Sequence, residues 1–245
     1  MAGLLVGLLV VACAHAPTRG AGRAGAGVEW VLPDRLVGTQ HLFRVTVSGP
    51  RASGSGRLAL VLATLDRYQL RTTDALGRAL WSFELVPAGW LLVDPRSERY
   101  CRGSAGPALP EIDLGVLPPA ALPAVLLGFL PAAPATIDAS SATLDWLDAS
   151  GRRWTARRDG ARAVAWTRWQ DGRPLAWWTR VEDGGILSHR NGVQVRWREV
   201  AGEPLPGPVA ALSPPVGYRE ASCDELDLPE FRQDQPSPAG GGAPR

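Results

Sequence analysis

The chain has 245 residues, of which 45% are hydrophobic, enough for one substantial core and too few for two full domains at ~100–200 residues each. Its 26 basic and 24 acidic residues leave a net charge of only +2, so nothing in the total calls for nucleic acid or an anionic surface. Every basic residue is arginine and none is lysine, a compositional bias rather than a binding face.

At the start of the chain, residues 2–12 are apolar or small and run into Val10-Val11-Ala12-Cys13. This matches a lipobox, in which small residues precede a cysteine whose thiol receives diacylglycerol. Residues 1–12 therefore read as a lipoprotein signal peptide with Cys13 as the lipidated residue, although the stretch lacks the basic residues that usually open one. So short an apolar run does not span a bilayer core of ~30 Å. Residues 13–27, mostly Ala, Gly, Pro and Arg, form a flexible tether. A short helix is expected over 28–32, where Trp30 lies. The domain itself occupies 28–231, and the Pro/Gly-rich residues 232–245 form a disordered tail.

Within the domain, short alternating runs recur between turn residues, the pattern of an antiparallel β sandwich or barrel of about ten strands. Phe43, Val45 and Val47 recur at every second position, as do Leu58, Leu60 and Leu62, then Tyr68 and Leu70, then Val193, Val195 and Trp197. Arg67, Gln69 and Arg71 are expected to face water. Residues 89–93 and 175–178 are apolar on both faces and are expected to be covered on both. One helix is expected, over 118–130, with Leu122, Val125, Leu126 and Phe129 on one stripe and Pro131 as its stop. An apolar helix inserted into a strand meander has one obvious place, across the open mouth of a curved sheet as a lid.

Catalytic chemistry has little to draw on. The histidines are His15, His41 and His189, the first in the tether, and no G-x-S-x-G elbow, Cys-x-x-Cys pair or His pair at metal spacing occurs. Glu84 and Asp94 read as solvated edge acids rather than an acid–base pair. The expectation is a protein that is not an enzyme, with no metal and no cofactor. After export, Cys101 and Cys223 either form one disulfide or remain two buried thiols. The ten tryptophans either fill the core, in a chain with four Phe and one Met, or partly line a large apolar pocket. Trp177 and Trp178, being adjacent on a strand, must face opposite sides.

The stretch Asp66-Arg67-Tyr68-Gln69-Leu70-Arg71-Thr72-Thr73-Asp74-Ala75-Leu76-Gly77 resembles the D-R-Y-x-L-x-x-T-x-x-L-G segment of the LolB outer-membrane lipoprotein receptors. The resemblance continues through Pro87, Leu92-Val93-Asp94 and Arg99-Tyr100. It resumes at Leu117-Pro118 and Leu127-Gly128-Phe129-Leu130-Pro131, so that it covers about a quarter of the chain. It implies a LolA/LolB-like fold, a half-closed antiparallel β barrel with a short helical lid over an apolar cavity. Tyr68, Leu70, Trp81, Phe83, Trp90 and Leu92 would line that cavity, and Leu122, Leu126 and Phe129 would close it. Leu76 would sit on a protruding, membrane-contacting loop, unless it folds back on the core.

The implied function is an outer-membrane lipoprotein, a monomer facing the periplasm, that takes the acyl chains of other lipoproteins from a soluble LolA-like carrier and places them in the membrane. Ala14 supports the outer membrane, since it is not the aspartate associated with inner-membrane retention in enteric bacteria. No nucleic acid enters this scheme. At ~0.8 kcal/mol per buried methylene, an apolar cavity is a strong acyl acceptor that needs no nucleotide. The alternative is an envelope lipoprotein that uses the same fold to dock a protein or lipid, with its core filled by tryptophan and an apolar patch outside. A lipid-modifying enzyme is the third reading.

Overall fold

The computed structural model describes residues 32–50, 53–104, 121–130, 141–147, 151–160, 162–223 and 226. Cys13, the signal peptide, the tether, Trp30, most of the 28–32 helix and the tail lie outside these residues, as do residues 118–120 and 131.

After a 3-10 turn at Asp34–Leu36 come six consecutive strands. They are β1 Thr39–Ser48, β2 Ser53–Thr64, β3 Arg67–Asp74, β4 Ala79–Val86, β5 Gly89–Asp94 and β6 Arg99–Ser104. Helix α1, Leu122–Leu126, follows. A second run then comprises β7 Thr143–Leu147, β8 Arg153–Asp159, β9 Arg162–Gln170, β10 Arg173–Val181, β11 Gly184–His189 and β12 Gln194–Pro204, with a two-residue β13 at Arg219–Glu220. All thirteen strands join one sheet, in the order β13-β6-β5-β4-β3-β2-β1-β12-β11-β10-β9-β8-β7. Every pairing is antiparallel except β13 on β6. The two meanders meet where β1 pairs with β12, and the ends of the order, β13 and β7, do not pair with each other.

The fold is thus mainly β, an antiparallel barrel left open along one side. Alternation makes it so. In β1 and β2, Phe43, Val45, Val47, Leu58, Leu60 and Leu62 are buried, while their neighbours point outward, because successive side chains leave opposite faces of a strand. Buried residues of every strand from β1 to β12 belong to one core together with those of α1. A single sheet with one shared apolar face achieves this only by coiling around it.

Thirteen strands stand where about ten were expected. The two-residue β13, exposed at both positions, carries no periodic signature by which the alternation would show it. The helix is shorter than the expected 118–130. Gly128, at φ +74°, stops it by the left-handed turn that favours glycine. Phe129 consequently leaves the helix and forms an isolated bridge to Arg162.

The Pro-rich segment 205–218 has a place that the alternation did not anticipate. Proline offers no N–H to a strand ladder, and the segment lies as a strap across the outer face of β3 and β4. The Arg67 guanidinium donates to the Val209 carbonyl (3.2 Å) and the Gln69 amide to that of Ala210 (2.7 Å), while Leu212 N–H donates to Glu84 Oε2 (2.7 Å). The strap ends in β13 beside β6, where Cys223 is bonded to Cys101 with the Cα atoms 5.2 Å apart.

The strap corrects two expectations. Gln69, only 1% exposed, does not face water, and Glu84 is not a solvated edge acid but a buried carboxylate held by Arg67, Gln69 and the strap. Asp94 is buried as well, accepting from the Arg96 N–H and the Ser97 hydroxyl in the turn after β5. Residues 89–93 are covered on both faces or nearly so. Residues 175–178 are not, since Trp178 is buried and Trp177 is 40% exposed on the outer face.

Candidate functional site

The six expected cavity residues come together on one wall. The register sets Leu70 opposite Phe83, Phe83 opposite Leu92, and Trp81 opposite Thr72. Phe83 stands between Tyr68 and Trp90, with ring centroids 5.9 and 6.3 Å away. All six are buried in the common core. Burial pushes the Tyr68 phenol well above its usual range, so it stays neutral.

The facing wall carries a feature that the alternation did not single out. Trp146, Trp154, Trp166 and Trp178 form a ladder across β7, β8, β9 and β10, with successive centroids 6.1, 5.5 and 6.4 Å apart. The sequence does hold a signal for it, because Trp154, Trp166 and Trp178 recur at intervals of 12 residues, one hairpin turn of the meander each time. The indole N–H groups of Trp81, Trp146, Trp166 and Trp178 have neither a partner nor room for water. Buried donors left unmade cost roughly 1–3 kcal/mol apiece, an expense that aliphatic packing would not incur.

Helix α1 belongs to the common core, and all five of its residues are buried. Its C-terminal turn is seated on the tryptophan wall. The Trp197 indole donates to the Leu126 carbonyl (3.0 Å), Ala163 N–H donates to the Gly128 carbonyl (3.1 Å), and a side chain at Gly128 would touch the Trp178 ring. A Cβ at Gly185 would overlap Trp178 Nε1, so glycine there lets that ring lie flat on β11. Two of the three expected lid residues, Leu126 and Phe129, also line a groove of about 450 Å³ at this end of the barrel. Leu36, Leu127 and Val200 share its apolar side, and Arg35 and Arg180 its charged side. His41 borders it too, with its ring nitrogens 2.9 Å from the Thr39 hydroxyl and 2.7 Å from a Glu199 carboxylate oxygen.

Leu76 occupies the tip of the β3–β4 hairpin and is 77% exposed, so it does not fold back on the core. The hairpin is held instead by Asp74, which accepts from Leu76 N–H and Arg78 N–H at 2.9 Å and from the Arg78 guanidinium at 2.6 Å. Gly77, at φ +82°, completes the reversal. The register places this tip at the end of the barrel away from the groove, since Asp74 pairs with Gly56 whereas Tyr68 pairs with Leu62 and Leu62 with Thr39.

Burial alone would raise the Asp74 carboxyl, but the hydrogen bonds from Arg78 and Leu76 outweigh it and hold the group below its usual range. Asp145 and Glu220 are lowered in the same direction by hydrogen bonds from Arg153 and Arg102. A carboxyl depressed in the folded state contributes stability above its unfolded value of about 4, and loses it as the pH falls through the lower folded value. The melting temperature is therefore expected to hold level above pH ~5 and fall below pH ~4, with part of that slope removed in Asp74→Asn. A pH scan of thermal unfolding checks it; an unaltered acid slope in the variant would remove Asp74 from the account.

Among the described residues, no group of three His, Cys, Asp or Glu side chains is placed to hold a metal, and no helix is long and apolar enough to cross a membrane. The arrangement offers apolar surface, a buried apolar helix and buried N–H donors.

No protein-family model and no curated protein matches the sequence. Solved structures similar to this chain include a LolA superfamily protein from Nitrosomonas europaea, 10% identical, with a TM-score of 0.40 over 73% of this chain and 88% of that one. A putative outer membrane lipoprotein-sorting protein domain from Vibrio parahaemolyticus is 13% identical, with a TM-score of 0.42 over 69% and 86%. A DUF1329 family protein from Desulfovibrio piger is 12% identical, with a TM-score of 0.44 over 70% and 87%.

Proposed function

We propose that this chain is a lipoprotein of the outer membrane, anchored through Cys13, that accepts the acyl chains of other lipoproteins inside its half-closed barrel and passes them to the bilayer. The observation that carries the reading is helix α1: five buried residues, none of them polar, occupy the concave face where a closed barrel would have only its own strands. Such a helix is a plug that another apolar chain replaces at little net cost, because both bury comparable surface. Cargo would arrive from a soluble carrier of LolA type, enter beside the helix, and leave for the membrane because the bilayer is the larger apolar sink. No nucleotide or cofactor takes part.

Native mass spectrometry of the protein mixed with a triacylated peptide tests this. The expected result is a one-to-one complex that a fluorescent fatty acid competes away. Folded protein that stays unbound at high micromolar lipopeptide would overturn the acceptor reading.

A second reading has its own observation. Trp177, 40% exposed on the outer face of β10, lies away from the interior, as a protein-docking lipoprotein with a tryptophan-filled core requires. Failure of the lipopeptide to bind would leave that reading standing.

A further inference from the structure

We infer that the tryptophan wall is a subsite for carbonyl oxygens, so that the ligand of the interior is an ester-linked or amide-linked acyl group rather than a bare hydrocarbon; this rests on the acyl-acceptor reading above. The argument starts from four buried indole N–H groups, those of Trp146, Trp166 and Trp178 on the ladder and Trp81 on the opposite wall, which have no acceptor in the protein. Buried polar atoms in folded proteins are nearly always satisfied, and these have no accessible surface at which water would do it. A cavity meant only for hydrocarbon would use leucine or phenylalanine, which bury as much apolar surface without a donor.

Another buried indole shows what satisfies such a group here. Trp197 donates to a backbone carbonyl, that of Leu126 in the last turn of α1. The same turn brings Gly128 against the ring of Trp178. When α1 gives way, the Trp197 N–H loses its carbonyl, and the Trp178 ring loses the backbone that covers it. The Trp197 N–H then faces the space that the helix has left, with the six-membered edge of the Trp178 ring opened beside it and the Trp178 N–H over Gly185 at its rim. An entering group with carbonyls near the head of its acyl chains restores the first bond and makes new ones to the ladder, whereas an alkyl chain restores none. The acyl esters of a diacylglyceryl group and the amide of a third chain have carbonyls at that position, and so do the esters of a phospholipid.

The test compares three probes on the full chain: a diacylglyceryl-cysteinyl peptide, the same peptide with its two esters replaced by ethers, and a phosphatidylglycerol with the same acyl chains. Affinity is read by competition with a fluorescent fatty acid, and the indole N–H groups are followed in ¹H–¹⁵N spectra. The ester peptide is expected to bind about tenfold or more tightly than the ether peptide, and to move the Trp166 and Trp178 indole resonances downfield where the ether does not. Trp178→Phe is expected to lower the ratio of ester to ether affinity. The spectra of the unaltered protein decide the matter if that variant folds poorly. Whichever ester probe binds the tighter identifies the source of the carbonyl. Equal binding of ester and ether with no indole shift would overturn the carbonyl subsite and leave acyl acceptance intact. Absence of binding by all three probes would overturn both.

Discussion

Replacing Cys101 and Cys223 by serine is expected to lower the unfolding free energy by about 2–5 kcal/mol, read as a shift of the urea midpoint against the unaltered protein. The expectation comes from chain entropy. The bond closes a loop of 122 residues, and for so long a loop the restriction of the unfolded chain approaches the upper end of that range. Little else at this corner compensates. The Arg102 fork on Glu220, at 2.9 and 2.8 Å, is exposed on both sides, and such pairs are worth at most about 1 kcal/mol. The Tyr100 hydroxyl also donates to Glu220 (3.2 Å), and beside it lie two main-chain bonds, Arg219 N–H to the Glu98 carbonyl and Ala221 N–H to that of Tyr100. Freed of the disulfide, the strap is expected to lift locally before the barrel unfolds, so hydrogen exchange at Leu212, whose N–H is held by Glu84, should accelerate as well. An unchanged midpoint with unchanged exchange would mean that the buried Glu84 cluster, not the covalent bond, fastens the strap.

Why the strap was illegible while the barrel was not is a matter of where each signal lies. The inward faces of β1, β2 and β3 could be read residue by residue, because large apolar residues such as Phe43 and Val45, Leu58 and Leu60, and Tyr68 and Leu70 recur at the period of two that a half-buried strand imposes. The same reading failed at Gln69 and Glu84, which look like outward polar positions and are outward, but under a segment some 140 residues later in the chain. Period-2 alternation tells which face a residue is on; it does not tell what covers that face. The helix shows the same limit from another side. Its apolar stripe was plain, yet the turn at Gly128 ended it at Leu126, four residues short of Leu130, and the carbonyl of Gly128 went instead to Ala163 of a strand that no local pattern links to it.

The candidate site divides in the same way. Tyr68, Leu70, Phe83 and Leu92 were placed by alternation and lie on one wall. The tryptophans were counted, and all but Trp30, which lies outside the described residues, fall in strands, but the ladder depends on which strands are neighbours. Trp154, Trp166 and Trp178 stack because β8, β9 and β10 are consecutive hairpins and because the register sets Trp166 directly opposite Trp178. That 12-residue recurrence is a long-range signal of the kind repeats give, and here it spans only three strands.

The variant Leu76→Glu is expected to reduce delivery of a lipoprotein cargo to membranes by about 10- to 100-fold while leaving the melting temperature unchanged. The fold effect follows from the transfer energy of one leucine. Moving its side chain from water into an apolar phase is worth about 1.5–3 kcal/mol, and each 1.4 kcal/mol is a factor of ten in an equilibrium; a glutamate at the same tip removes that gain and adds a charge that an apolar phase rejects. Stability is insulated from the change because Leu76 is 77% exposed and the hairpin is held by the Asp74 carboxylate and the left-handed Gly77 rather than by the leucine side chain. Exposed substitutions of this kind ordinarily stay within ±0.5 kcal/mol. Leu65 supplies the internal control. It is also exposed, at 50%, but it sits in the turn between β2 and β3, at the groove end of the barrel rather than the Leu76 end. If the tip of the β3–β4 hairpin is the membrane-facing point, Leu65→Glu leaves delivery unaltered and Leu76→Phe restores most of it. Equal losses from the two glutamates would show that apolar exposure in general matters. No loss from Leu76→Glu in folded protein would move the release step to the opposite end, where the groove opens beside the helix and a chain leaving the interior would pass Phe129 and Leu36 first.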